Sequence, residues 1–122
     1  MLTQEYRNLI DVLVQKTTAG VIHWEKGRGR FSYQAKAGDN TFKVDKYFAG
    51  NHNDACLNLA AFDAKENLVL EIVLCRGVEE QVDDYNRLNT LYSRVEQQAN
   101  NGMIQQEVPV VTSITQSLQQ VI

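Results

Sequence analysis

The sequence predicts an α+β domain of two layers, a four-stranded antiparallel meander flanked by an N-terminal and a C-terminal helix. Three observations predict it. Apolar residues recur at three- and four-residue steps near Leu9 and again near Leu88, the signature of amphipathic helices. Between Phe31 and Arg76 the pattern switches to strict alternation, the period of half-buried strands. Short turn signals, Gly38-Asp39-Asn40 and Ala64 to Asn67, join the alternating runs.

Residues 3–17 form the first predicted helix, with Tyr6, Leu9, Ile10, Leu13 and Val14 on one face. Thr3 suits its N-cap, Glu5 the positive end of its dipole and Lys16 the negative end. Gly20 is where the chain leaves the helix. In the connector that follows, Ile22 and Trp24 are expected to be buried, and Gly27 with Gly29 makes a loop.

The first strand spans Phe31 to Ala37 and turns Phe31, Tyr33, Ala35 and Ala37 inward. The second, Thr41 to Phe48, turns Phe42, Val44 and Phe48 inward. A turn centred on Asp39-Asn40 pairs Ala37 with Phe42 and Ala35 with Val44, which keeps inward residues together. After a polar loop, Ala55 to Phe62 carries Leu57, Leu59 and Ala61 inward, and Leu68 to Arg76 carries Leu70, Ile72 and Leu74. Leu57 then faces Leu74, and Leu59 faces Ile72. The second helix runs from Glu79 to Ala99, with Val82, Tyr85, Leu88, Leu91, Tyr92, Val95 and Ala99 as its stripe, and Asn100-Asn101-Gly102 ends it. Both stripes need cover, and the inward sheet face supplies it.

Residues 1–102 therefore read as one domain and 103–122 as a separate C-terminal segment. Pro109 breaks that segment, Ser113 and Gln116 fit a capping box, and Val111, Ile114, Leu118 and Val121 step as a short helix. A helix of about ten residues is not stable alone, so it docks or assembles.

Composition narrows the function. The chain of 122 residues is 43% hydrophobic and 22% charged, which is globular rather than disordered. A net charge of -3 argues against general nucleic-acid coating or binding to an anionic membrane. Acids at Glu5 and Asp11 and the lack of a basic start exclude a signal peptide from the reading. With two cysteines and no apolar run of bilayer length, the expected location is cytoplasmic.

The first candidate surface is the outer side of the last two strands, with Cys56, Asn58, Ala60 and Phe62 on one and Val69, Glu71, Val73 and Cys75 on the other. It is too apolar for free solvent. Either the C-terminal segment of the same chain covers it, or a second subunit does. Phe62, Val69, Val73, Ile114 and Leu118 would form such an oligomer interface.

The second candidate is basic. Residues 1–48 carry eight basic and five acidic side chains, whereas the remainder carries four and ten. Lys36 is expected opposite Lys43, an arrangement sheets avoid. With Arg28 and Arg30 on the Gly-spaced loop these lysines would hold a phosphate or an acidic partner. The plainer reading is a solvated edge.

Cys56 and Cys75 fall opposite each other, within reach of a disulfide, but a reducing cytoplasm would keep them as two buried thiols. No metal-ligand spacing is present, no cofactor motif of the P-loop or dinucleotide type, and no nucleophile with base and orienter around His23 or His52. The reading is therefore of a non-enzyme.

The run Leu13, Thr17, Gly20, Ile22, Trp24, with Phe31 opening a strand and Leu88 and Leu91-Tyr92 on the late helix, resembles a family of small bacterial α+β domains of unknown function. Its pattern is a helix ending Thr-x-x-Gly, then Ile-x-Trp, a meander and a Leu-Tyr helix. The resemblance covers roughly residues 6–99. It implies a fold and a bacterial or mobile-element origin, and no site. In size and acidity the chain is also similar to the dimeric chaperones of bacterial secretion systems, although those place a helix between strands.

The expected function is a self-associating interaction module, a homodimer or higher, with a protein partner left open. The alternative is capture of an anionic or nucleotide-like small molecule by Arg28, Arg30, Lys36 and Lys43. A third is an enzyme whose site is completed across a subunit boundary.

Overall fold

The computed structural model describes residues 2–50 and 53–100. Helix α1 (Gln4–Thr18) is followed by five strands, β1 (Glu25–Lys26), β2 (Ser32–Ala37), β3 (Asn40–Ala49), β4 (Asp54–Phe62) and β5 (Leu68–Cys75). A single 3₁₀ turn, Glu79–Gln81, leads into α2, residues 82–100. The strands form one antiparallel sheet in the order β1-β2-β3-β4-β5. The two-layer α+β class therefore holds, with five strands instead of four. The added strand arises because Gly27 to Phe31 closes a hairpin that pairs Glu25 with Gln34 and Lys26 with Tyr33.

Thr3 caps α1 by accepting a hydrogen bond from the Tyr6 amide at 3.4 Å. At the other end Gly20 takes φ +77°, which lets the Val21 and Ile22 amides turn back to the Lys16 carbonyl. Ile10 and Leu13 of α1, and Tyr85, Leu88, Leu91, Tyr92 and Val95 of α2, are buried against Tyr33, Val44, Leu57, Leu59, Ile72 and Leu74 of the sheet. Both helices thus cover the same sheet face. Tyr6 and Val82, assigned to the stripes, remain 39% and 37% exposed.

The two helices run parallel, because the bonds between them advance together along both chains. Arg7 of α1 pairs with Asp84 of α2 at 2.9 Å, Arg87 donates to both Asp11 oxygens, and Gln98 donates to the Thr17 carbonyl. Asp84 is buried and also accepts from the Leu2 amide. Burial pushes its pKa up, but the Arg7 and Leu2 hydrogen bonds outweigh this, so the carboxyl titrates below its ordinary value. A folded pKa below the unfolded one gives stability that is present above about pH 4 and is lost as pH falls through the folded value. Asp84→Asn should therefore lower the urea midpoint at pH 7, and the gap to the parent should close as pH is taken below about 4. A gap that is constant with pH would assign Asp84 a purely steric role.

Three expectations about the sheet are corrected. The first hairpin pairs Ala37 with Asn40 and Ala35 with Phe42, two residues away from the predicted register. Gly38, at φ +63°, takes the first place in a two-residue turn Gly38-Asp39, where a longer turn was expected. Face parity survives, but Lys36 now opposes Thr41, and Gln34 opposes Lys43, so the like-charge pair does not form. Phe48 and Phe31, expected inward, are 54% and 39% exposed, Phe48 near the end of β3 and Phe31 just before β2. The β4–β5 register is as read, with Leu57 opposite Leu74 and Leu59 opposite Ile72.

The third correction concerns the cysteines. Cys56 and Cys75 form a disulfide in place of the two expected thiols. They are direct cross-strand partners with Cα atoms 4.0 Å apart, and both side chains leave the same outer face.

Candidate functional site

With both helices on one side, no described helix covers the outer sheet face, although Cys56 and Ala60 on it are buried among their neighbours. It divides into a charged half over β1–β3 and an apolar half over β4–β5.

The charged half is a trough of about 1160 Å³. Its floor is the outer side of β2 and β3, including Ser32, Gln34, Lys36, Thr41, Lys43 and Asp45. The β1–β2 hairpin forms one wall. Gly27 donates to the Ser32 carbonyl at 2.8 Å, and a side chain at residue 27 would meet the Ser32 hydroxyl, so glycine lets the loop fold onto the strand. Phe62 and Glu66 close the far side.

Of the residues singled out as anion ligands, Arg28, Lys36 and Lys43 line this trough, and Arg30 does not. The Arg30 guanidinium lies 5.5 Å from the centre of the Phe31 ring instead. Lys26 joins the lining and was missed by the sequence reading, which had no strand at Glu25–Lys26 to place it. Its ammonium stacks 4.8 Å over the Tyr33 ring and donates to the Arg30 carbonyl, which ties the hairpin loop to its own base. Lys43 stacks 5.0 Å over Phe62. Glu25, Asp45 and Glu66 also line the trough, beside the cations Arg28, Lys36 and Lys43, whereas Lys26 shares the inner face with its cross-strand partner Tyr33. None of the six charged groups on the trough side is in an ion pair among the described residues.

The hairpin hangs from a buried latch. The Trp24 indole donates to the Thr17 hydroxyl at 2.9 Å, and the Trp24 amide donates to Gln98 Oε1 at 2.7 Å. The Gln98 amide in turn donates to the Ile22 carbonyl at 2.7 Å. One glutamine on α2 thereby satisfies two backbone groups of the connector and the Thr17 carbonyl of α1. Nothing in the helical stripe marked it, because Gln98 lies off the apolar positions.

The apolar half follows the expected face. Val73 is 42% and Val69 60% exposed, and Leu68 beside them is 54% exposed. Val69 is displaced by a bulge, since Ala61 pairs with Leu70 and Phe62 with Leu68. Phe62 is shared with the trough. In the middle of the face Asn58 Oδ1 is buried with no hydrogen-bond partner. Ile114 and Leu118 lie outside the described residues.

The core tyrosines offer no acid–base pair. Tyr33 and Tyr92 meet edge to face with centroids 5.8 Å apart, and burial raises both phenols above their ordinary value. Tyr92 donates to the Phe31 carbonyl at 3.4 Å, as a core residue with its hydroxyl satisfied. Among the described residues no group of three metal-ligating side chains is found. No described helix is long and apolar enough to cross a membrane. Comparisons of the chain with protein-family models, curated proteins and solved structures find no match.

Proposed function

We propose that the protein is a non-enzymatic binding module that associates with itself through the outer face of β4 and β5, together with the segment 103–122. The observation that carries this reading is the exposure of Leu68, Val69 and Val73 on one side of the sheet, with the Asn58 side-chain carbonyl on the same face buried and unsatisfied among the described residues. Exposed apolar surface and a buried unpaired acceptor both cost free energy, and a docked chain removes both costs. The double variant Val69→Asp, Val73→Asp should weaken self-association at least about tenfold, since carboxylates do not enter a dry interface. Light scattering coupled to gel filtration reads it. An unchanged mass would remove this face from the interface. Ile114→Asp with Leu118→Asp tests the C-terminal segment in the same assay.

A second reading is favoured by the convergence of Arg28, Lys36 and Lys43 on one trough. There a small anion or nucleotide-like molecule would be held by charge-assisted hydrogen bonds. Under it, Arg28→Glu with Lys43→Glu should lower affinity for inorganic pyrophosphate at least about tenfold by calorimetry, with a steep salt dependence in the parent. Heat that is indifferent to salt and to both substitutions counts against it.

A cytoplasmic location is the finer reading of the composition, and the Cys56–Cys75 disulfide weighs against it, because such bonds persist in oxidising compartments. Thiol trapping in freshly lysed cells decides the point. Two alkylated cysteines favour the cytoplasm, and none favours an oxidising compartment.

A further inference from the structure

The free edge of β5 is more specific than the face beside it. The Arg76 amide donates to the Ala55 carbonyl, which fixes the phase of the β4–β5 ladder. Leu70, Ile72 and Leu74 turn their backbone groups toward β4, whereas Glu71, Val73 and Cys75 turn theirs to the open edge. At Cys75 those groups are already used, because its amide donates to Gln81 Oε1 and its carbonyl accepts from the Val78 amide. Among the described residues the amides and carbonyls of Glu71 and Val73 have no partner. The open edge is thus two residues long in hydrogen-bonding terms, capped at one end and bulged at Val69 on the other.

Resting on the self-association reading above, we infer that this edge pairs antiparallel with the same edge of a second copy, Glu71 opposite Val73 in both directions. Four backbone hydrogen bonds close around a two-fold axis at Ile72, using the edge groups of Glu71 and Val73 that have no partner among the described residues. Charge selects the register. Moving the axis to Glu71 would set two glutamates opposite each other, which sheets avoid. Moving it to Val73 would set Glu71 against Cys75, whose groups are taken. The apolar residues agree with the antiparallel sense. Val69 of one copy comes opposite Cys75 of the other and Leu68 opposite Arg76, so exposed Leu68 and Val69 lie along the seam. The edge carries no lysine and no proline, the usual guards against such pairing. The partner is therefore a second copy of this chain, added as a continuation of its sheet.

Two variants at one position separate edge pairing from packing of one face on another. In the edge register Val73→Lys places lysine opposite Glu71 of the second copy, and Val73→Glu places like charges there. Edge pairing predicts that the lysine variant stays at twice 13.9 kDa in sedimentation, and that the glutamate variant dissociates at least about tenfold more readily. If both variants dissociate, the edge inference is overturned while self-association through this face stands. If both keep a dimeric parent's mass, the inference is overturned and this face leaves the interface; if the parent is itself a monomer, the self-association reading falls along with the inference. Loss of the lysine variant alone overturns the register. Val73→Pro is the control should Val73→Glu misfold, because it deletes only the edge amide and leaves the β4 ladder whole; a dimer formed by Val73→Pro also overturns the inference.

Discussion

Reducing the Cys56–Cys75 disulfide should lower the unfolding free energy by about 3 kcal/mol, the chain-entropy value for a loop of this length. The bond spans 19 residues and joins β4 to the edge strand β5. Away from β4 the strand is held among the described residues only by the Cys75 bonds to Gln81 and Val78, so the disulfide limits fraying of the strand proposed to carry assembly. Guanidinium unfolding of oxidised and fully reduced protein measures the difference directly. A gap below about 1 kcal/mol would mean that the β4–β5 ladder already restricts the unfolded chain as much as the bond does. Reduction should weaken self-association as well, because a frayed edge must be reordered before it pairs.

The second large effect is expected at Trp24. Trp24→Ala removes a side chain that is 5% exposed and should cost about 4 kcal/mol through lost burial and the cavity left behind. The loss should not stay local. Trp24 precedes β1, and its latch to Thr17 and Gln98 holds the connector from which the trough wall hangs. Hydrogen exchange at Glu25 to Ser32 should accelerate even under conditions where β4 remains protected. Trp24→Phe separates the two contributions, since it keeps most of the volume and gives up only the indole donor, at about 1 kcal/mol. If Trp24→Phe is as damaging as Trp24→Ala, the hydrogen bond outweighs the packing.

These two effects mark where the sequence could and could not be read. Trp24 was legible as buried, and so was the opposition of Cys56 and Cys75, because both follow from alternation and turn length. The redox outcome was not legible, since it was inferred from an assumed compartment instead of from the geometry of the pair. The basic site was half legible. Arg28, Lys36 and Lys43 were named from charge alone, and they do line one trough, but Arg30 points to Phe31 and Lys26 takes a place on a strand only two residues long. Two-residue strands leave no periodicity to detect. The first hairpin register was missed by two residues because one glycine, Gly38, chose the shorter turn.

By itself, then, the sequence determined the two-layer class, the inward residues apart from Phe31 and Phe48, and the β4–β5 register, because apolar periodicity leaves little choice about which side faces the core. Only the tertiary structure decided that α1 and α2 run parallel on one face, that Gln98 latches the connector, and that the amides of Glu71 and Val73 point to a free edge. Each of these depends on groups distant along the chain or on backbone direction. Side-chain pattern encodes neither, so they emerge only once the sheet is assembled.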